Sequence, residues 1–174
     1  YDVIFEDKEY NHVLEAFRTA RLSEQLRNNL RKYLQVMTKP LAVRSSGLFE
    51  DSLNQPFAGV YSTYLLPNNH PDIERRLEDV ENAIKLVFAS IYSPESRAYF
   101  NAIDYMIEEE KMAVIIQEVI GNEHNGRYYP EISGVAQSYN FYPFSYIQPE
   151  DGFAVTAIGL GAYVVGEKTH RFSP

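Results

Sequence analysis

In residues 41–65, a short apolar run is followed by Arg44, Ser45, Ser46 and Gly47. A guanidinium stays charged at physiological pH and can bind two phosphate oxygens at once, while hydroxyl and glycine N–H groups can complete an anion site. A polar turn, in which either serine bonds to nearby backbone N–H groups, explains the same residues. Taken alone, the four residues indicate either a phosphate site or an ordinary turn.

Two glycine turns are the next candidates. Phe57-Ala58-Gly59 precedes a predicted strand, where small residues let the backbone approach a ligand or simply form a hairpin turn. Gly159 and Gly161 directly follow the strand predicted at residues 153–158, but the third glycine of a dinucleotide-binding motif is missing. Each turn is compatible with a ligand site without requiring one.

Gln117, Glu118, Val119 and Ile120 lie where a predicted buried strand ends. Backbone C=O and N–H groups at such a point can bind the edge of adenine. The alternative interpretation is an ordinary strand end whose polar residues face solvent. The four histidines, at positions 12, 70, 124 and 170, lack metal-ligand spacing and are expected at the surface. We therefore expect no metal site from these residues, and the chain offers no recognisable catalytic residue.

Composition narrows the possible partners. The chain has 174 residues, 45% of them hydrophobic, which suits a single domain with a real core. Its net charge of −8, without a long basic run, argues against nucleic acid or an anionic membrane as a partner. No apolar run approaches the roughly 18 residues of a membrane helix. The absence of cysteine excludes disulfides and is compatible with the cytoplasm, where we expect the protein.

Hydrophobic periodicity predicts mixed helices and strands. Residues 9–36 are predicted as two helices, and residues 71–92 show the strongest helical spacing. Strands are predicted at 41–43, with a loop to about Gly59, and then at 60–66, 112–116, 133–136 and 153–158. Because no regular strand–helix–strand alternation occurs, we expect an α+β fold with an antiparallel or mixed sheet flanked by helices.

The order of these motifs resembles one known family. The blocks VRSS, ED, FAG and TYL in residues 43–65 are followed by ASIYSPESRAYF, MAVIIQEVI, ISGVAQS and GLGAYVVG. This series resembles the nucleotide-binding region of phosphoenolpyruvate synthase and pyruvate phosphate dikinase over about residues 41–170. The resemblance implies an ATP-grasp fold, in which two α+β subdomains clamp ATP. It also implies transfer of the β-phosphoryl group of ATP to a histidine of a separate domain, and then to pyruvate.

The resemblance implies a role for each motif. Arg44 matches the arginine that contacts the ATP phosphates, with Ser45, Ser46 and the Glu50-Asp51 pair completing its block. Phe57-Ala58-Gly59 matches the loop that closes over the phosphates. Gln117, Glu118, Val119 and Ile120 match the segment against adenine, and Gly159 and Gly161 match a turn at the nucleotide cleft.

Three positions depart from the family pattern. Ala162 replaces the usual glutamate after Gly-Leu-Gly, Val60 replaces a common glutamine, and Gly166 falls one position early. Each change removes a polar contact or alters its spacing, so a degenerate, non-catalytic binding or regulatory module is the alternative. A further alternative is a rifampicin-phosphotransferase-like enzyme, which passes the phosphoryl group to an antibiotic.

The resemblance also bears on domain organisation. Residues 1–39 are expected to form a helical lead-in and residues 40–174 the family-like core of a single domain that is a fragment of a longer enzyme. The implied cofactors are ATP and Mg²⁺, and pyruvate or phosphoenolpyruvate would bind through other domains. Because the family's lysine loop, acidic magnesium ligands and phosphohistidine segment are not found, the isolated 174 residues are expected to lack turnover.

Overall fold

The computed structural model describes residues 10–48, 60–103, 106–143 and 145–161. The chain divides into two compact units, Tyr1–Val119 and Ile120–Pro174. Each unit has its own antiparallel strand pairs, and they are described in turn.

Four described α-helices belong to the first unit, and side-chain caps mark the starts of three of them. They are α1 (Tyr10–Thr19), α2 (Glu24–Val36), α3 (Ile73–Ala89) and α4 (Pro94–Ala102), with short 3₁₀ helices at Ser90–Tyr92 and Ile107–Glu109. Ser23 accepts a hydrogen bond from the Leu26 N–H, and Asp72 accepts one from the Glu74 N–H. Such caps satisfy N–H groups that have no partner inside the helix. The predicted helical regions are confirmed.

A three-stranded antiparallel sheet, ordered β2–β1–β3, lies beside these helices. Its strands are β1 (Leu41–Gly47), β2 (Thr63–Leu66) and β3 (Met112–Glu118). Leu41 and Val43 are fully buried in a core that also contains Leu30 and Leu34 of α2. Helix α3 adds its apolar stripe to the same core, through Leu77, Val80, Ala83, Ile84 and Val87. One face of the sheet is therefore covered by α2 and α3.

The buried amide of Asn68 fixes the entry to β1. Its Nδ2 donates to the backbone carbonyls of Met37 and Lys39, each at 2.9 Å. Arg76 on α3 also donates from Nη1 to the Leu34 carbonyl at 3.0 Å. These bonds satisfy carbonyls at the end of α2 and set the direction in which β1 enters the sheet.

Two strand predictions for this sheet are wrong in detail. β1 does not end at Val43 but continues to Gly47, because it remains paired with β3 as far as Gly47 and Met112. β3 was expected to be buried, but its side chains alternate between partly buried and exposed positions, and Ile115 is 37% exposed. Alternation arises because successive side chains of a strand point to opposite faces, and α2 and α3 pack on only one.

The second unit contains two described antiparallel pairs. β4 (Asn122–His124) pairs with β5 (Arg127–Tyr129) around an Asn125-Gly126 turn, in which both residues have positive φ. β6 (Ile132–Gln137) pairs along its whole length with β7 (Phe153–Ile158). Residues 138–152 connect these two strands and include a short 3₁₀ helix at Pro149–Asp151.

The architecture confirms the α+β class, with antiparallel sheets accompanied by helices. No helix in the described part of the chain combines the length and apolar character needed to span a membrane.

Candidate functional site

Arg44 occupies the middle of the central strand and points away from the core. Its register partners are Thr63 on β2 and Ile115 on β3. Alternation along β1 buries Val43 and Ser45 and leaves Arg44 exposed. We call the surface formed by the side chains on this side of the sheet the Arg44 face: Ala42, Arg44, Ser46, Thr63, Leu65, Ala113, Ile115 and Gln117.

The Arg44 face combines exposed apolar surface with one cation. Leu65 is 53% exposed and Ile115 is 37% exposed. The Arg44 Nε lies 3.5 Å from the carbonyl oxygen of Ser45, and no carboxylate of the described residues lies within ion-pair distance of the guanidinium. By contrast, Arg27 binds Glu81 and Arg31 binds Glu74, each at 2.6 Å. Among the described residues, the two Nη groups of Arg44 are therefore not paired with a carboxylate, and they suit an anion.

Gln117 lies on the same face as Arg44. Its register partner is Ala42, two residues before Arg44, while Arg44 itself pairs with Ile115. In an antiparallel ladder such diagonal neighbours are about 7–8 Å apart. The structure therefore brings together two predicted site residues from the separate phosphate and adenine motifs.

Ser45 and Ser46 lie on opposite faces of β1. Ser46 is partly buried on the Arg44 face, whereas Ser45 is 3% exposed on the side of the core. Gly47 is also on the core side, where an added Cβ would come within 2.9 Å of Tyr61. The four residues form part of a paired strand, so neither a turn nor a free anion-binding loop describes residues 44–47.

Glu110 bridges the residues on either side of the segment that contains Phe57-Ala58-Gly59. Its Oε1 accepts a hydrogen bond from the Leu48 N–H at 2.8 Å, and its Oε2 accepts one from the Tyr61 hydroxyl at 2.9 Å. Residues 49–59, including Gly59 and the Glu50-Asp51 pair, lie outside the described residues. Sequence analysis did not identify Glu110. Its partners are 62 and 49 residues away, so local pattern carried no signal for them.

The segment predicted to contact adenine, residues 117–120, lies partly in the first unit and partly in the second. Glu118 points away from the Arg44 face and binds Lys39 Nζ at 2.7 Å, and the Val119 N–H donates to the Pro40 carbonyl at 2.8 Å. Burial raises the pKa of Tyr33, and the nearby Glu118 carboxylate raises this pKa further. Ile120 is 76% exposed and is the first residue of the second unit. Glu118 and Val119 therefore already hold the start of β1 against the end of β3.

Gly159 and Gly161 follow β7 in the second unit. Gly159 has φ of +81°, a conformation that glycine adopts without strain. Its N–H donates to the Glu131 carbonyl at 3.1 Å, and its carbonyl accepts from the Ser133 hydroxyl at 2.7 Å. Gly161 lies in the following turn, and Ala162 and Gly166 lie outside the described residues. The Gly159 backbone therefore holds the turn after β7 against the start of β6.

In this cysteine-free chain, histidine, aspartate and glutamate are the side chains that could hold a metal ion. Among the described residues, no three histidine, aspartate or glutamate side chains come together in a group that could hold a metal ion. His12 and His70 are exposed, as expected, whereas His124 is partly buried and stacks on Tyr129 with ring centroids 4.4 Å apart.

Comparison with known proteins identifies the class. Residues 4–171 match the family described as pyruvate phosphate dikinase, AMP/ATP-binding domain. Since the match spans nearly the whole sequence, the chain belongs to this family. The resemblance and the α+β, ATP-grasp-like fold predicted from the sequence are confirmed, as is the coarser functional prediction of a nucleotide-binding domain.

Two relatives make the similarity more specific. The chain is 28% identical over 129 residues to a phosphoenolpyruvate synthase of Aeropyrum pernix, covering 74% of this chain and 13% of that protein. It is 29% identical over 150 residues to a phosphoenolpyruvate synthase of Deinococcus radiodurans, covering 85% of this chain and 16% of that protein. The chain therefore spans about a seventh of the length of these relatives.

Proposed function

We propose that the Arg44 face is the surface on which this domain binds ATP, with Arg44 contacting the phosphates. The observation that carries the proposal is an exposed arginine, without a carboxylate partner among the described residues, on an apolar sheet face. Guanidinium donors suit phosphate oxygens, and an apolar surface suits a purine and its ribose. Ser46 shares this face and is the proposed second phosphate contact, whereas Ser45, which was also predicted as one, has its side chain on the core side.

Gln117 is the side chain that best fits the adenine end of the same surface. It projects beside Arg44, while Glu118 and Val119 are engaged with Lys39 and Pro40. An amide offers one donor and one acceptor function, which matches the paired donor and acceptor groups on the edge of adenine. Gly59, Ile120, Gly159 and Gly161 remain proposed nucleotide contacts on the strength of the family resemblance.

We further propose that the complete protein is a dikinase-type phosphotransferase of the cytoplasm. It would use ATP and Mg²⁺ to phosphorylate a histidine on another domain, and that phosphohistidine would phosphorylate pyruvate. The family membership and the names of the two relatives support this proposal. The 174 residues would then be its nucleotide-binding part and would not turn over alone.

Nucleotide titration of the full-length protein tests the assignment of Arg44. Loss of a charge-assisted hydrogen-bond donor in Arg44→Ala should weaken ATP binding about 10- to 150-fold in isothermal titration calorimetry. Arg75→Ala is the matched control, because Arg75 is equally cationic but pairs with Glu78 on the surface of α3. Equal ATP affinity for wild type and Arg44→Ala would refute the role of Arg44.

A non-catalytic nucleotide-binding module is the second candidate. Val60, which stands where the family commonly has glutamine, packs against the apolar cluster of Tyr61, Ile91 and Phe100. Incubation of the full-length protein with ATP labelled at the β-phosphorus separates the candidates. Acid-labile label on the protein supports the phosphotransferase, whereas ATP binding without label supports the binding module.

A further inference from the structure

The second unit contains a pocket that is lined by none of the residues assigned above to nucleotide binding. Its volume is about 550 Å³, within the usual range for small-molecule sites. The pocket lies where β6 ends, β7 begins and residues 138–152 connect them. Its lining includes Gln137, Asn140, Phe141, Tyr142, Ile147 and Phe153.

Three aromatic side chains, Phe141, Tyr142 and Phe153, line this pocket. Phe141 is 72% exposed, Tyr142 is 89% exposed and Phe153 is 39% exposed. Phe141 makes an edge contact with Tyr139 at a centroid distance of 4.9 Å, which restricts the orientation of the Phe141 ring. No charged side chain lines the pocket within the described part of the unit. An uncharged, flat occupant fits these rings best.

Asn140 adds a directional polar group. It is only 8% exposed, its backbone N–H donates to the Pro149 carbonyl at 2.8 Å, and its Oδ1 accepts from the Tyr142 N–H at 3.0 Å. These bonds orient the amide, and its Nδ2 has no hydrogen-bond partner among the described residues. The Nδ2 group can therefore donate to an acceptor on a molecule bound in the pocket.

We propose that this pocket binds an uncharged planar ring that carries a hydrogen-bond acceptor. The ring stacks on the aromatic side chains at Phe141 and Phe153, and its acceptor takes the hydrogen bond from Asn140 Nδ2. Gln137, at the pocket wall, offers an amide to a second polar group of the same ligand. The proposal concerns a site other than the Arg44 face and does not rest on the proposed function.

Saturation-transfer NMR on the full-length protein tests the pocket, with nicotinamide and benzamide as probes. Both are uncharged rings with a carboxamide acceptor. We expect transfer to the ring protons in wild type and a signal about tenfold weaker in Phe141→Ala, since ring stacking supplies much of the affinity. Asn140→Asp keeps the acceptor for Tyr142 and loses the donor, so it should weaken the signal as well.

Tyr146→Ala is the matched control, because Tyr146 is an 87% exposed aromatic residue of the same segment that does not line the pocket. This variant should retain the wild-type signal. Absence of transfer from both probes in wild type, or an unchanged signal in Phe141→Ala, overturns the proposal. Displacement of the probes by saturating ATP also overturns it, because the ring would then occupy the nucleotide site. ATP titration of the same samples reports separately on Arg44.

Discussion

The hydroxyl of Tyr61 donates to the Oε2 of Glu110 at 2.9 Å, joining residues 49 positions apart. Tyr61 is 6% exposed and packs in the cluster with Ile91 and Phe100. The other carboxylate oxygen of Glu110 accepts from the Leu48 N–H. One side chain therefore connects the end of β1 to the residues that precede β2.

The first prediction is a coupled loss of stability at this bridge. Tyr61→Phe removes the hydroxyl but keeps the ring, and Glu110→Ala removes both acceptor oxygens. Hydrogen bonds to charged groups contribute about 1.5–3 kcal/mol, so each variant should show a lower free energy of unfolding in urea. The double variant should lose less than the sum of the single losses, with a coupling of about 0.5–3 kcal/mol. Strict additivity would show that the two side chains do not interact.

The second prediction concerns the pH dependence of stability through Glu74. Arg31 donates to both carboxylate oxygens of Glu74, at 2.6 Å and 3.0 Å. The hydrogen bond from Arg31 lowers the pKa of Glu74, and the charge of Arg31 acts in the same direction. A carboxylate with a depressed folded-state pKa stabilises the fold above its unfolded-state pKa. This contribution is lost as the pH falls through the folded-state value.

Urea unfolding of wild type and Glu74→Gln from about pH 7 to about pH 3 measures this effect. Wild type should be the more stable protein at neutral pH, and the difference should shrink as the medium becomes acidic. Arg31→Met provides the control background, in which Glu74→Gln should have a smaller effect with little dependence on pH. A constant difference across the whole range would contradict the assignment.

Local patterns predicted much of the fold. The spacing of Leu77, Val80, Ile84 and Val87 indicates α3, because helical contacts repeat every three or four residues. The continuation of β1 through Gly47 was missed because it depends on pairing with β3, about 65 residues later in the chain. The β4–β5 hairpin was also missed, although Asn125-Gly126 is a strong hairpin signal.

The candidate site shows the same limit. Motif order predicted Arg44 and Gln117 as site residues, and the antiparallel register explains why they share a face. Motif order could not show that the Ser45 side chain points to the core, because this depends on where the strand begins and on which face the helices cover. Glu110 and Asn140 were missed because their roles come from distant partners or from burial in an irregular segment.

The third prediction separates backbone strain from ligand contact at Gly159. Gly159 and Gly152 both have positive φ, but an added Cβ would meet nothing within 4 Å at Gly159 and would collide with the Gln137 carbonyl at Gly152. Gly159→Ala should therefore cost about 1–2 kcal/mol of unfolding free energy from backbone strain alone. Gly152→Ala should cost clearly more, because the collision lies beside the β6–β7 pair.

Urea unfolding ranks the two alanine variants, and ATP titration of the full-length protein then examines Gly159. Gly159→Asn is the matched control, since asparagine tolerates positive φ better than alanine. If Gly159 serves only the turn, Gly159→Asn should restore both stability and ATP affinity. If the backbone at Gly159 approaches the nucleotide, as the family resemblance implies, Gly159→Asn should restore stability while ATP affinity stays low. A stability loss for Gly159→Ala equal to that of Gly152→Ala would contradict the open space seen at Gly159.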